Sequence, residues 1–212
     1  MVTLDSMQTD RPVCYGVRMA PSPQERSAAA RARLLAAASE LFYAEGVQSV
    51  GIDRVIEHAG VAKATLYSAF GSKDGLVRAY LQARHAATAE RMAAELETRY
   101  ATPKERLVGA FEVQGLSFTE PGFRGCAFVS ASADAPPGGV IEQTAVDYRA
   151  WLHELFFDLA RQAHAKDPKQ LAQQLVLLYD GAGISAWMDR DPSAETAART
   201  IAAALVEAAI PD

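Results

Sequence analysis

A group of hydrogen-bonding side chains in the first third of the chain is its clearest candidate for a binding function. The group supplies one cation and three hydroxyls, on Lys63, Thr65, Tyr67 and Ser68. Val61, Leu66 and Phe70 form the apolar face of the same short helical pattern, so the polar groups point elsewhere. Such groups can donate hydrogen bonds to the phosphates and base edges of DNA.

The segment before this group has the pattern of another short helix. Its apolar residues follow the spacing i, i+3, i+4 and i+7, and they are Ile52, Val55, Ile56 and Ala59. Gly60 follows, and glycine most easily adopts the positive φ found just past a helix end. Two helices joined by a short turn form a helix-turn-helix unit, whose second helix enters a major groove. We predict this unit over residues 51–70, with Lys63–Ala69 as the recognition helix.

The sequence around this unit resembles the DNA-binding domain of the tetracycline-repressor (TetR) family. Residues 59–77, AGVAKATLYSAFGSKDGLV, contain the family's small-Gly-Val turn, its Thr-Leu-Tyr, a phenylalanine and the Ser-Lys-Asp that opens the next helix. Upstream, the apolar residues from Leu34 to Phe42 and the glycine at Gly46 are similar to the family's first helix and its end. The resemblance covers residues 28–88 in sequence and the rest of the chain in layout.

The resemblance implies DNA contacts for six side chains, those of Ser49, Lys63, Thr65, Tyr67, Ser68 and Lys73. Lys63 and Thr65 would face the groove edge or the adjacent phosphates, and Ser68 could read a base. The Tyr67 hydroxyl and Lys73 would contact phosphates. Ser49 is also a candidate N-cap or N′ residue of the second helix, and capping alone is the alternative to a phosphate contact.

The segment before the helix-turn-helix unit is predicted to be an arm followed by a helix that braces the unit. Residues 1–26 carry three prolines and no periodicity, which favours a disordered arm, and Met19 could be the natural start. The first helix is predicted over residues 27–44. Arg31 and Arg33 lie on its polar side, where phosphate contact and a simply solvated face are equally good interpretations.

Composition limits the possible classes of protein. The 212 residues are half hydrophobic, enough to bury a sizeable core, and no run of about 18 apolar residues predicts a membrane span. Cys14 and Cys126 are too few for a disulfide framework or a cysteine-rich metal site, so we predict a cytoplasmic protein without cofactors. The net charge of −5 arises from residues 82–212, and residues 27–81 carry no net negative charge. No GxSxG, GxxxxGK[ST] or GxGxxG motif supports an enzyme.

The rest of the chain is predicted to be helical, so the fold class is all-α. Helical patterns cover residues 73–100, 104–119, 123–134, 140–165, 168–188 and 193–209, and no alternation of strand period is sustained. By its resemblance to the TetR layout, the chain divides into a DNA-binding domain at residues 27–81 and a helical domain at residues 82–212 that binds an effector and dimerises. The last two helices, 168–188 and 193–209, would pair with their copies in a homodimer.

The family also uses its second domain to hold a small molecule. Aromatic and thiol side chains there are candidates to line a pocket with few polar groups, which would suit an apolar or aromatic effector, although each also fits ordinary core packing. They are Phe111, Phe118, Cys126, Phe128, Tyr148, Trp151, Tyr179 and Trp187. Cys126 could sense redox state or be a structural thiol.

The resemblance implies a homodimeric, ligand-responsive transcriptional regulator, and a repressor rather than an activator because most members of the family are repressors. It would bind a palindromic operator on double-stranded DNA and leave it when the effector binds. A constitutive architectural DNA-binding protein is the rival, and it would lack both pocket and effector.

Overall fold

A computed structural model describes residues 22–133 and 135–211, and it is all-α over them, as predicted. The helices that hold the recognition region are α1 (Pro23–Glu45), α2 (Ile52–Ala59), α3 (Lys63–Phe70) and α4 (Lys73–Arg99). Those that follow are α5 (Pro103–Leu116), α6 (Ala127–Ser132), α7 (Val140–Gln162), α8 (Pro168–Met188) and α9 (Ala194–Ala209). Residues 1–21 of the predicted arm lie outside the described residues. Within the described residues, no helix is long and apolar enough to cross a bilayer.

The first helix begins earlier than predicted, because Ser22 caps it. The Ser22 hydroxyl accepts a hydrogen bond from the Glu25 backbone N–H at 3.2 Å, and the Glu25 carboxylate accepts one from the Ser22 N–H at 2.5 Å. Pro23 occupies the first turn, where its missing N–H costs nothing. The prediction that the disordered arm extends to residue 26 is therefore wrong for the residues from Ser22 onward.

Helix α6 is shorter than the predicted segment 123–134. Gly122 and Gly125 have φ values of 80° and 77°, which a right-handed helix cannot include, so the chain stays irregular up to Cys126. Elsewhere the boundaries differ by a few residues. Helix α5 gives way to a 3₁₀ turn at Ser117–Thr119, and α7 ends at Gln162 before a positive φ at His164.

One apolar core lies among α1, α2, α3 and the start of α4. It is built on fully buried Leu34, Val55, Leu66, Leu76 and Leu81. The same cluster continues without a break onto α6 and the first half of α7, through Phe128, Ile141 and Tyr148. The predicted division at residues 81 and 82 falls inside α4, so the two halves of the molecule share this helix.

A second core fills the bundle formed by the end of α4 with α5, α7, α8 and α9. Its central aromatic rings are those of Phe111, Phe156 and Tyr179, whose centroids lie 5.9 to 6.1 Å apart. Met92 and Leu96 join α4 to it. Helix α4 thus contributes its first turns to one core and its last turns to the other.

The close approach of α4 to the end of α3 requires a glycine in the first turn of α4. A Cβ atom on Gly75 would lie 1.9 Å from the Phe70 carbonyl oxygen, closer than non-bonded atoms can approach. The Ser72 hydroxyl caps α4 by accepting a hydrogen bond from the Gly75 N–H at 3.1 Å. This tight junction fixes the start of α4 against the end of the predicted recognition helix.

Candidate DNA-binding face and ligand cavity

The turn between α2 and α3 is made by Gly60, as the sequence predicts. Its φ of 62° and ψ of 45° place it in the left-handed region, and Val61 donates its N–H to the Ile56 carbonyl at 3.3 Å. Val55 and Leu66 are fully buried beneath the turn. The outer surface of α3 is consequently left to its polar residues.

Helix α3 carries four of the six side chains predicted to contact DNA and exposes three of them. The Tyr67 ring is 46% exposed, Ser68 is exposed and Thr65 is half-buried. An amphipathic ring held at the surface can contact a phosphate through its hydroxyl. Beside them, the Arg31 guanidinium lies 4.7 Å from the centroid of the half-buried Phe70 ring.

Lys63 begins α3 and is paired in the free protein. Its Nζ lies 2.9 Å from Asp53 Oδ1, in the first turn of α2. This hydrogen bond, together with the carboxylate's charge, raises the pKa of Lys63. Both side chains are largely exposed, so the pair costs little to open when a phosphate competes for the ammonium group.

Ser49 and Lys73 border α2 and α4. Ser49 is exposed in a turn, but Gly51 is the N-cap of α2, so the predicted N-cap or N′ position of Ser49 is wrong. Gly51, whose backbone is extended, occupies the N-cap position two residues after Ser49. Lys73 is the first residue of α4 and is half-buried, next to the Ser72 cap. Anions are favoured at such a helix start.

Behind these helices lies a cavity of about 510 Å³, reached by side chains from α1, α4, α5, α6, α7 and α8. Five of the predicted pocket residues line it, and they are Phe118, Cys126, Phe128, Tyr148 and Tyr179. The other three lie elsewhere. Phe111 is fully buried in the core, Trp151 packs with its ring 5.2 Å from that of His85, and Trp187 is 46% exposed on α8.

The cavity is more polar than the sequence suggested. Its walls include residues that the aromatic pattern could not reveal, namely Tyr43, Arg84, Arg91, Gln114, Glu120 and Asp180. Arg91 pairs with Glu120 at 2.8 Å, and Asp180 pairs with Arg149 at 2.5 Å. Because these residues come from separate helices, only the fold brings them together, and the expected scarcity of polar groups is wrong.

Tyr43 connects the cavity to the DNA-binding helices. It belongs to α1, and its hydroxyl donates a hydrogen bond to the Gly125 carbonyl and accepts one from the Arg124 N–H, both at 2.9 Å. The Arg84 guanidinium lies 4.0 Å from the centroid of its ring. A Cβ atom added to Gly125 would lie 3.3 Å from the Trp187 side chain of α8, so this glycine is also close to α8. A molecule in the cavity would therefore touch both halves of the chain.

One thiol and two phenols in the cavity wall have raised pKa values because they are buried. Burial raises the pKa of the Cys126 thiol, so it is a poor nucleophile at neutral pH. Burial likewise raises the pKa of Tyr148 and of Tyr179. Among the described residues, no cluster of histidines, cysteines and carboxylates could hold a metal ion.

Helices α8 and α9 also expose apolar side chains on their outer surfaces. Leu177 is 75% exposed, Met188 is 70% exposed, and Ile184 lies between them with the spacing of one helix face. On α9, Ile201 is half exposed. Both helices therefore carry large apolar side chains that no part of the described chain covers fully.

Comparison with known proteins places this architecture in one group. Residues 34–80 match the model of bacterial regulatory proteins of the tetR family. Over 55 residues the chain is 47% identical to FasR of Mycolicibacterium smegmatis, an HTH-type transcriptional activator. That match covers 26% of this chain and 25% of FasR, so the chain spans only a quarter of the length of this relative.

Solved structures are similar over most of the chain. A TetR-family transcriptional regulator from Streptomyces coelicolor is 30% identical with a TM-score of 0.81, over 87% of this chain and 97% of its own. A TetR-type transcriptional regulator from Streptomyces avermitilis is 32% identical with a TM-score of 0.73, over 85% and 97% of the two chains.

Proposed function

Since the chain belongs to the TetR family of transcriptional regulators, we propose that it is a homodimeric repressor released from its operator by a small molecule. The family consists of DNA-binding regulators and not of enzymes. The observation that carries the proposal is a cavity that reaches Tyr43 on α1 of the DNA-binding helices. Occupancy of that cavity can thereby alter the position of α1.

The DNA contacts follow from the exposed surface around α3. Tyr67 and Ser68 would face the groove or its backbone, Lys63 would leave Asp53 for a phosphate, and Lys73 would bind a phosphate at the start of α4. Thr65 would contribute from its half-buried position, and Ser49 from the turn before α2. Most of these contacts would orient the protein, and few would carry sequence information.

The exposed apolar surfaces of α8 and α9 support the homodimer. Two copies that meet about a two-fold axis would cover Leu177, Ile184, Met188 and Ile201 against their counterparts. The two recognition helices would then reach successive major grooves about one DNA turn apart, and the operator would be an inverted repeat. A dimer bound there would exclude other proteins from the site, which is why we propose repression.

Release would be a shift between two populations of the dimer. An effector that binds better to a state whose recognition helices no longer fit both half-sites draws the protein into that state. Linkage requires the converse, so operator DNA must weaken effector binding by the same factor.

Selection of bound sequences from random duplex DNA tests the proposal. The purified protein should enrich an inverted repeat at moderate salt, and its mass in solution should be that of two chains. A monomer, or a dimer that enriches no sequence with or without added small molecules, would contradict it. Operator binding that no small molecule in a broad library changes would favour the constitutive architectural protein.

A further inference from the structure

Among the charged side chains that line the cavity, one arginine is left without a carboxylate partner, because Arg149 from outside the lining pairs with one of the carboxylates. Four charged side chains line it, and both carboxylates among them have cationic partners: Glu120 bonds to Arg91, and Asp180 bonds to Arg149. Arg84 has no carboxylate partner within the described residues. Its guanidinium lies against two rings instead, 4.0 Å from the centroid of Tyr43 and 5.8 Å from that of Tyr80.

The aromatic neighbours of Arg84 leave its charge in place. Burial raises the pKa of Tyr80 to about 12, so this phenol is neutral at physiological pH. The thiol of Cys126 is held in its protonated form as well. The wall of the cavity near Arg84 therefore carries a positive charge that forms no ion pair within the described residues.

The side-chain amide oxygen of Gln114 is a second polar group without a partner. It is only 9% exposed, and its Nε2 donates a hydrogen bond to the Tyr179 carbonyl at 2.8 Å. A carbonyl only accepts, so this bond fixes the orientation of the amide. The Oε1 atom is buried without a hydrogen-bond partner and belongs to a side chain that lines the cavity. A donor group on a bound molecule would satisfy it.

The rest of the lining is apolar enough for an organic molecule. Met92, Val113, Phe118, Phe123 and Phe128 contribute to the walls. A cavity of about 510 Å³ is too large for a bare inorganic anion and suits a molecule of one or two rings or a comparable aliphatic chain.

We propose that the effector is a small organic carboxylate, whose anionic group pairs with Arg84 and whose body carries a hydrogen-bond donor to Gln114 Oε1. This inference rests on the effector-controlled function proposed above. A planar guanidinium binds a carboxylate through two parallel hydrogen bonds, which gives geometric selectivity as well as attraction. The unpartnered Gln114 Oε1 atom favours ligands that carry a hydrogen-bond donor in addition to the carboxylate.

The position of Arg84 gives the carboxylate a direct effect on the DNA-binding half. Its guanidinium covers the ring of Tyr43, and the Tyr43 hydroxyl joins α1 to the backbone at Arg124 and Gly125. A carboxylate that binds the guanidinium competes with this stacking. The contact between α1 and the loop before α6 is thus the first to respond to the ligand.

A matched panel of small molecules tests the ligand class. The panel contains one- and two-ring aromatic and aliphatic carboxylates, each with its neutral carboxamide and its cationic aminomethyl analogue. We expect only carboxylates to raise the melting temperature of the full chain and to bind in calorimetry. Arg84→Gln should weaken the strongest carboxylate at least about 30-fold, as expected when one partner of a desolvated charge pair is removed.

Three further variants make the result specific. Arg84→Lys keeps the charge and should retain part of the carboxylate affinity. Gln114→Leu should weaken panel members with a donor group about two- to tenfold and leave members without one unchanged. Arg161→Gln removes an exposed arginine of α7 that lies outside the cavity, and it should bind every compound as the wild type does.

The inference is overturned if no carboxylate binds, if carboxamides or amines bind as tightly, or if Arg84→Gln binds carboxylates unchanged while melting as a folded protein. Failure here is separable from failure of the proposed function. A dimer that enriches an inverted repeat and is released by a neutral or cationic compound would keep the regulator and remove the carboxylate.

Discussion

The DNA-binding helices and the bundle behind them present their functional side chains in opposite directions. In α3 the apolar residue Leu66 is buried and the polar groups of Tyr67 and Ser68 face solvent. In the bundle, Arg84, Gln114 and Tyr179 turn inward to a shared cavity. One short segment specifies the outward face, and six helices must fold before the inward face exists. Experiments can therefore perturb the two halves separately.

The largest effect is expected at the proposed dimer surface on α8 and α9, which belongs neither to the exposed face of α3 nor to the cavity. Leu177→Asp combined with Ile201→Asp would put charges where two copies should bury apolar side chains. The mass in solution should fall to one chain, and operator affinity should fall at least about 100-fold because a single half-site remains.

Light scattering would measure the mass in solution, and titration with operator DNA would measure the affinity. Val146→Asp is the matched control, because Val146 is an exposed apolar residue of α7 outside the two helices, and it should leave the dimer intact. A double variant that stays dimeric would place the interface elsewhere.

Lys73→Ala should weaken operator binding about tenfold, and each protomer should lose about one unit of salt-dependence slope because one phosphate contact is lost. Lys104→Ala is the control, since Lys104 lies in the bundle and pairs with Glu207. Titrations at several salt concentrations give the slope. An unchanged slope would remove Lys73 from the DNA contacts. Effector binding should be the same in both variants.

Tyr43→Phe tests whether the cavity and the DNA-binding helices are coupled through this residue. The variant keeps the ring that Arg84 covers and removes the hydrogen bonds to Arg124 and Gly125. Carboxylate binding should persist, while the carboxylate concentration needed to release the operator should rise about three- to tenfold. Release measured by fluorescence anisotropy decides the outcome, and an unchanged concentration would place the communication outside this contact.

Asp53→Asn should have the smallest effect, and in the opposite direction. Lys63 would lose its carboxylate partner and be free for phosphate, so operator affinity should rise about two- to threefold. Glu57→Gln is the control, because it removes a negative charge from the same helix and leaves the Lys63–Asp53 pair intact. It separates the effect of the ion pair on operator affinity from the effect of one fewer negative charge near the DNA. Equal gains in the two variants would mean that only the field matters.

The sequence predicted the helix-turn-helix unit well because its signals are local. The left-handed turn at Gly60, the buried Leu66 and the capped start of α4 at Ser72 each depend on neighbours within a few residues. The early start of α1 at Pro23 had a local signal as well, the capping box between Ser22 and Glu25, and sequence reasoning missed it.

The cavity could not be predicted to the same extent, because it depends on contacts between distant segments. Aromatic composition identified Phe118, Phe128 and Tyr148, yet it also selected Phe111 and Trp187, which point into the core and toward the surface. A buried aromatic residue has the same sequence pattern whether its ring lines a cavity or packs against another side chain. Gln114 lies in the helical stripe of α5 that the sequence indicates, but nothing local shows that either Gln114 or Arg84 lines a cavity.

The apolar cluster that runs from α1 through α4 into α6 and α7 limits how this protein can be recombined with others. A chimera cut in α4 at residue 81 would join a new set of DNA-binding helices to Phe128, Ile141 and Tyr148, which were packed against the old ones. The transferable module is therefore discontinuous in sequence. It consists of α1 to the middle of α4 together with α6 and the first half of α7, and an engineer who exchanges operator specificity should move these pieces as one unit.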